Sequence, residues 1–523
     1  MPGRVGRGGR KHKPGGLTPA MSFQSTAFLL LFLPAVLAGT ALARRYAPDA
    51  VVWWLIGASL LFHGAWHPDG VPVLLGSVAA NRLAVEALHR AQAPRLRQAI
   101  LVVAVLGNLA LLAWFRYLTA WMAALDPWLA TGPILAEPIA PLGISFFTFT
   151  QIGYLLDCHA GLETRRTLGQ HILFSTFFPS LTAGPILTAR EVMPQLDDFG
   201  HRPWHAEDLA CGLGIFIIGL LKKLLLADPL APIVAAGHAD PTALGLFGAW
   251  RVALAYWFQL YFDFSGYSDM AVGLARMFGV RYPWNFASPY QARSVIEYWQ
   301  RWHVSLTRFF MASLHAPLAM AVLRWRRARG LGVDRAAQSR PVGFLTMHAA
   351  PLVVTMTLAG LWHGASVTFL AFGLLHGVFL AVNHAWRLWR SRPGAPRPCS
   401  ARWAERMGAA GGIGATCVCV LIGSVVFRAA SLGDAVDLLA GMAGWRGLEP
   451  LAPTARDLAD GACLALLLVL VWCAPNTRRI MDHPIGAGWA WRASAPWAVA
   501  CGVGLTIGLL SAGGSAEFLY ARF

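Results

Sequence analysis

His363 stands in Leu361-Trp362-His363-Gly364-Ala365-Ser366, at the end of an apolar run. An imidazole ordinarily titrates near about pH 6.5 and can take a proton from a hydroxyl at neutral pH. Gly364 permits close approach of another chain or a substrate, and small polar Ser366 follows. A buried histidine bonded to a backbone carbonyl is the plain alternative, because buried polar groups readily find partners. A second stretch, Glu297-Tyr298-Trp299-Gln300-Arg301-Trp302-His303-Val304-Ser305, supplies another imidazole. Helical spacing lets Glu297 pair with Arg301 and sets Trp299 and His303 on another face. Taken alone, this stretch reads as an interfacial amphipathic helix with an aromatic belt.

Two further stretches carry polar groups. Asp263 and Asp269 lie among aromatics, with Ser265 and Gly266 between them inviting a break in the helix. Paired carboxylates can hold a metal or do acid/base work, but hard cations want more oxygen ligands than two carboxylates supply. Hydrogen bonds that anchor neighbouring helices are the better reading, and Arg281 and Asn285 extend the same polar strip. The run from Pro141 to Phe149, with Tyr154 and Asp157 beyond, alternates aromatics with small hydroxyls. That pattern suits helix packing.

These groups need elements to position them, and the composition says which kind. Of 523 residues, 56% are hydrophobic and only 13% charged. A soluble domain carries about 25% charged residues. Mean hydropathy is +0.51, so lipid must cover part of the apolar surface. Ionisable residues inside such segments are costly and usually functional. The formal net charge is +17. Arginines cluster between apolar runs, as at Arg324, Arg326, Arg327 and Arg329, then Arg387, Arg390, Arg392, Arg397 and Arg402. That fits cytoplasmic loops and anionic lipid headgroups, and it argues against nucleic acid. The eight cysteines form no CxxC pair, so they read as small core hydrophobes and not as a zinc or disulfide framework.

A span needs about 20 apolar residues. Candidate helices lie near 24–43, 50–66, 72–89, 99–118, 142–157, 170–187, 208–227 and 243–262. Others lie near 346–361, 367–385, 411–429, 460–474 and 496–511. Pro179, Gly184 and Pro185 break one of them, and re-entrant or tilted segments are expected around 263–315. The predicted class is an all-α polytopic membrane protein. Its parts are a disordered basic tail at 1–20, a membrane core at 21–386, a basic polar loop at 387–408 and C-terminal transmembrane helices at 409–523. Met21 looks like a natural start of the folded part.

Together the stretches resemble the membrane-bound O-acyltransferase family, in its bacterial branch of alginate O-acetyltransferase-like and D-alanyl-transfer-like proteins. The carriers are LGISFFTF at 142–149, FFPSLTAGPI at 177–186, DFSGYSDMAVGLARMFG at 263–279, NFASPY at 285–290, WQRWHVSLTRF at 299–309 and GLWHGAS at 360–366. The resemblance implies a ring of tilted helices, with re-entrant segments, around a central tunnel. It implies that His363 is the family's invariant histidine and that His303 is the second, branch-specific one. Trp362, Ser366, Trp299, Asp263, Ser265, Asp269 and Asn285 would then bind substrate or line the tunnel. At 311–315 the chain reads Met-Ala-Ser-Leu-His where many relatives carry Arg-Asp-Tyr-Leu-Tyr, which puts the usual structure of that loop in doubt. The aromatic ending from Phe518 to Phe523 is similar to a tail that can contact extracytoplasmic partners.

The implied activity is O-acetylation of an exopolysaccharide or cell-wall glycan from a cytoplasmic thioester, acetyl-CoA or another. No tightly bound cofactor and no metal are implied. Expected partners are membrane lipids, an extracytoplasmic acetyltransferase- or esterase-like protein and the glycan acceptor, in a bacterial inner membrane. His363 would be the general base, and His303 would orient the donor or stabilise charge on the carbonyl oxygen. D-alanyl or other acyl transfer from a carrier protein is the alternative. A non-catalytic transporter or flippase, or a membrane scaffold, is the alternative of another class.

Overall fold

A computed structural model describes residues 21–129, 140–163, 166–391, 402–448, 454–482, 490–512 and 518–519. The basic tail expected at 1–20 lies outside the described residues, as do Cys399 and residues 520–523 of the C-terminal ending. In lipid every backbone N–H and C=O must find a partner inside the protein, so apolar runs become helices. The first half contains α1 (Phe28–Tyr46), α2 (Val51–Trp66), α3 (Gly70–Arg90), α4 (Pro94–Leu129), α5 (Ile144–His159) and α6 (Leu168–Thr176). Then come α7 (Ala206–Ala239), α8 (Leu246–Met277), α9 (Val295–Arg301), α10 (Val304–Ala328) and α11 (Pro341–Trp362). The last elements are α12 (Val367–Arg390), α13 (Arg402–Arg428), α14 (Leu432–Met442), α15 (Ala455–Cys473) and α16 (Ala495–Ser511). Among the described residues, nine helices are long and apolar enough to cross a membrane.

Helix α8 is the mast of the molecule, and the sequence reading placed its end too early. No break occurs at Ser265 and Gly266; the helix runs unbroken from Leu246 to Met277. Gly266 serves close approach instead. A Cβ there would lie 2.7 Å from the carbonyl oxygen of Gly219 on α7, and one on Gly219 would lie 2.5 Å from that of Gly266. Gly212 and Gly273 make the same reciprocal contact at 2.6 Å, two turns along. Small residues let two backbones touch where lipid offers no hydrophobic drive. The same pair of helices is tied by charge. Lys223 Nζ donates to Asp263 Oδ1 at 2.6 Å and pairs with Asp228 at 2.7 Å. Lys222 Nζ donates to Asp269 Oδ2 at 2.6 Å and to Thr477 Oγ1 at 2.8 Å.

The span expected at 170–187 is instead α6, a short helix at Phe178–Leu181 and irregular chain after it. Buried neighbours cover this stretch, which is what broken backbone at membrane depth requires. The expected re-entrant region narrows to 278–303, because α8 fills its first part and α10 its last. Met311–His315 is a wide helical turn inside α10, not a loop. That span was absent from the sequence reading. Of the polar loop expected at 387–408, both edges are helical: α12 extends to Arg390 and α13 begins at Arg402. The C-terminal helices pack back on the core through Trp250 Nε1 to Met442 O, the Arg251–Asp457 pair and Gln291 Nε2 to Val471 O.

Contacts sort the helix ends into two sets. Arg44 donates to Arg202 O, Arg97 to His159 O, Gln195 to Arg281 O, and Arg276 pairs with Asp208. These join one end of the bundle, where Arg44, Arg97, Arg202, Arg276 and Arg281 lie. The opposite end is held by Arg251 with Asp457 and by Arg446 with Thr242 O.

Candidate active site

His363 caps the C-terminus of α11, and the elements around it are locked. Gly360, one turn earlier, meets Gly373 of α12 so closely that a Cβ would lie 2.9 Å from that residue's Cα. The second half of α4 clamps the same turn: Arg116 donates to the His363 carbonyl at 3.3 Å, and the Tyr117 hydroxyl donates to that of Leu361. The Trp362 ring packs between Phe146 and Phe149 of α5 and lies 4.7 Å from the His363 ring. Phe427 of α13 meets His363 edge to face at 4.9 Å.

His303 reaches the same place by a different route. Helix α9 stops at Arg301, so His303 does not share its faces as helical spacing suggested. It lies in the left-handed region, with φ +43°, just before α10. Asn285 explains how this strained turn is held. Its Oδ1 accepts from the Ser305 backbone N–H at 3.1 Å and from Ser305 Oγ at 3.0 Å. A backbone N–H can only donate, so the amide orientation is fixed. The same oxygen lies 3.1 Å from His303 Nδ1. In the neutral ring Nδ1 therefore carries the proton, and Nε2 carries the lone pair. Ser305 Oγ also accepts from the Ile186 N–H at 2.9 Å, joining the broken segment after α6 to this turn.

Two cavities meet at His363. A vestibule of about 120 Å³ is lined by Arg116, Ser145, Thr182, Tyr267, Trp362 and Phe518 as well as His363. A narrow inner cavity of about 30 Å³ is lined by His303, His363, His376, Trp299, Trp302 and Tyr298 among others. His363 is 6% exposed and His303 1%.

The other residues singled out from sequence divide. Trp299 and Trp362 stand on cavity walls. Asn285 acts behind the wall, through His303. Ser366, expected along the tunnel, caps α12 by accepting from the Thr368 N–H at 3.2 Å. Asp263 and Asp269, expected there too, sit in the ion pairs between α7 and α8, and Ser265 is fully buried within α8. Glu297 and Arg301 do pair, at 2.5 Å. The aromatic ending turns inward as far as it is described: Phe518 stacks on Tyr267 at 4.2 Å, and the Leu519 N–H donates to Asp263 Oδ2 at 3.0 Å. Sequence reasoning missed Lys222, Lys223 and His376. The signal was available, since each is an ionisable residue inside an apolar run. Ser145 and Phe146, read as packing residues, also line the vestibule.

An all-α bundle that crosses the membrane many times and buries imidazoles where two cavities meet has the form of a membrane-embedded enzyme. Residues 166–330 match the model of MBOAT, the membrane-bound O-acyltransferase family. The chain is 32% identical over 454 residues to a peptidoglycan O-acetyltransferase of Helicobacter pylori, covering 82% of this chain and 80% of the relative. It is 33% identical over 482 residues to a probable alginate O-acetylase of Pseudomonas aeruginosa, covering 89% and 83%. A teichoic acid D-alanyltransferase of Streptococcus thermophilus is 27% identical over 281 residues, covering 51% and 65%. The chain belongs to the membrane-bound O-acyltransferase family, and it is a multi-pass membrane O-acyltransferase.

Proposed function

We propose that the protein moves an acetyl group from a cytoplasmic thioester, acetyl-CoA being the simplest, to a hydroxyl of an exopolysaccharide or cell-wall glycan across a bacterial cytoplasmic membrane. The observation that carries this reading is the position of His363, on the walls of both the vestibule and the inner cavity. The acceptor oxygen attacks the thioester carbonyl as His363 takes its proton. The carbon–sulfur bond breaks, the thiolate leaves, and the imidazolium returns the proton to it. His303, with its acceptor nitrogen turned away from Asn285, orients the donor by accepting a hydrogen bond from it. Burial among aromatic rings keeps bulk water from hydrolysing the thioester. The immediate acceptor is either the glycan or a hydroxyl of an extracytoplasmic esterase-like partner docked at the vestibule end.

Acetyl transfer is preferred to D-alanyl transfer because the acetylating relatives match over most of both chains and the D-alanylating one over about half of this chain. The test is His363→Ala in liposomes with radiolabelled acetyl-CoA and a soluble glycan acceptor. Transfer should fall about 10²–10⁴-fold while the melting temperature holds. Undiminished transfer by a folded variant overturns the base assignment. Movement of unmodified glycan with no label on it overturns the enzymatic reading in favour of a transporter.

A further inference from the structure

The vestibule carries two polar side chains that the protein itself leaves unanswered. Gln24 and Ser145 line it beside His363, and they are only 4% and 6% exposed. A buried polar group without a hydrogen bond costs stability, so such groups ordinarily find partners. Neighbours on the same walls do. The Thr182 hydroxyl bonds to that of Tyr267, and Trp66 Nε1 donates to the Met21 carbonyl. Among the described residues, neither the Gln24 amide nor the Ser145 hydroxyl makes a hydrogen bond. Thr148, a turn further along α5, also lacks a partner but is sealed in, whereas Gln24 and Ser145 reach open space in the vestibule. Both are held from behind. Phe23 stacks on Phe62 and on Tyr267, with centroids 5.5 and 4.9 Å away, and the Ser25 N–H donates to the Ser22 carbonyl at 2.9 Å, which fixes the turn that carries Gln24. Gly143, in the left-handed region at φ +73°, lets the start of α5 approach so closely that a Cβ would lie 2.0 Å from the Leu181 carbonyl oxygen. Ser145 follows on the first turn of that helix.

We propose that Gln24 and Ser145 bind the acceptor through hydroxyls beside the one that reacts, so that the vestibule is a site for a sugar and not for an isolated protein hydroxyl. This rests on the acyl-transfer reading and chooses between its two acceptors. A primary amide both donates and accepts hydrogen bonds, and so does a hydroxyl. Neighbouring hydroxyls on a sugar ring do the same, and each can answer one of these groups. Neither residue lines the inner cavity, so their contacts fall on the acceptor's side of His363 and not on the donor's. Trp66, Phe146 and Phe518 on the same walls give the ring apolar surface to lie against, while the two polar groups set its orientation. Holding the neighbours of the reacting hydroxyl aims its oxygen at the carbonyl, which is how binding speeds the chemical step.

The experiment uses the full-length protein in liposomes with radiolabelled acetyl-CoA and two soluble acceptors, oligoalginate and solubilised peptidoglycan strands. Gln24→Met and Ser145→Ala each remove a hydrogen-bonding group with little change in shape. Each should lower kcat/KM for the glycan about 3- to 10-fold, and the double variant about 10- to 100-fold, while KM for acetyl-CoA stays the same. The melting temperature should hold or rise, because the groups removed are ones the fold leaves unpaired. A melting temperature lowered by several degrees in either single variant gives that residue a structural role and overturns the proposal. So does a glycan kcat/KM equal to that of the unaltered protein, and so does a raised KM for acetyl-CoA. An unaltered protein that labels neither glycan overturns the choice of a sugar. His363→Ala in the same assay keeps the two readings apart. If it transfers at full rate the base assignment falls, while the glycan kcat/KM of the Gln24 and Ser145 variants still decides the acceptor site.

Discussion

Asn285 shows how one amide can govern a buried imidazole from behind the cavity wall. It accepts from Ser305 twice and fixes which nitrogen of His303 carries the proton. Asn285→Leu therefore removes three contacts at once and leaves the buried Ser305 N–H without that partner. It should cost about 1–3 kcal/mol of stability for the orphaned donor, read as a lower melting temperature in detergent. Asn285→Asp keeps the acceptor and should retain most of the stability but disturb the charge beside His303, so its defect should fall mainly on kcat. The lysine side of the core is more exacting. Lys223→Met leaves Asp263 and Asp228 facing each other without their cation. Breaking a buried pair in this way costs about 3–5 kcal/mol. The expected outcome is loss of folded protein on size-exclusion chromatography, partly reversed by adding Asp263→Leu.

At the scale of elements, the glycine seams decide what can be substituted. Gly219→Val would drive a branched side chain into the α8 backbone, which cannot yield as a flexible side chain could. The α7–α8 pair should separate, with loss of folded protein and not a graded fall in activity. The motifs at 299–309 and 360–366 singled out both histidines only through the family resemblance; taken alone, the first reads as an interfacial helix and the second as a buried packing histidine. What the linear chain hid was compensation. Asp263, Ser265 and Gly266 looked like a helix break, yet Lys223 and Gly219 lie about 40 residues away in sequence and close the account. Helix α10 hid for the opposite reason. Arg308, His315 and Pro317 interrupt its apolar pattern, while most of its surface faces outward. His376 went unnoticed because its partner, Trp299, lies on α9, and a lone histidine in an apolar run reads as packing until that indole is seen.

Among the described residues the molecule is a frame of helices with a cluster of arginines at one end. Arg44, Arg97, Arg202, Arg276 and Arg281 gather there, so the melting temperature in nanodiscs should rise with anionic lipid content, and less so at high salt. Yet the frame also has a hollow centre, and a hollow bundle in a membrane risks becoming a hole in it. An inner cavity of about 30 Å³, walled by Trp299, Trp302 and Tyr298, has room for about one water and none for a continuous file of them. An aromatic wall of this kind would also slow the passage of water and protons through the centre of the bundle. Trp302→Ala, which opens that wall, should let vesicles with an internal pH dye lose an imposed gradient faster, even where acetyl transfer survives.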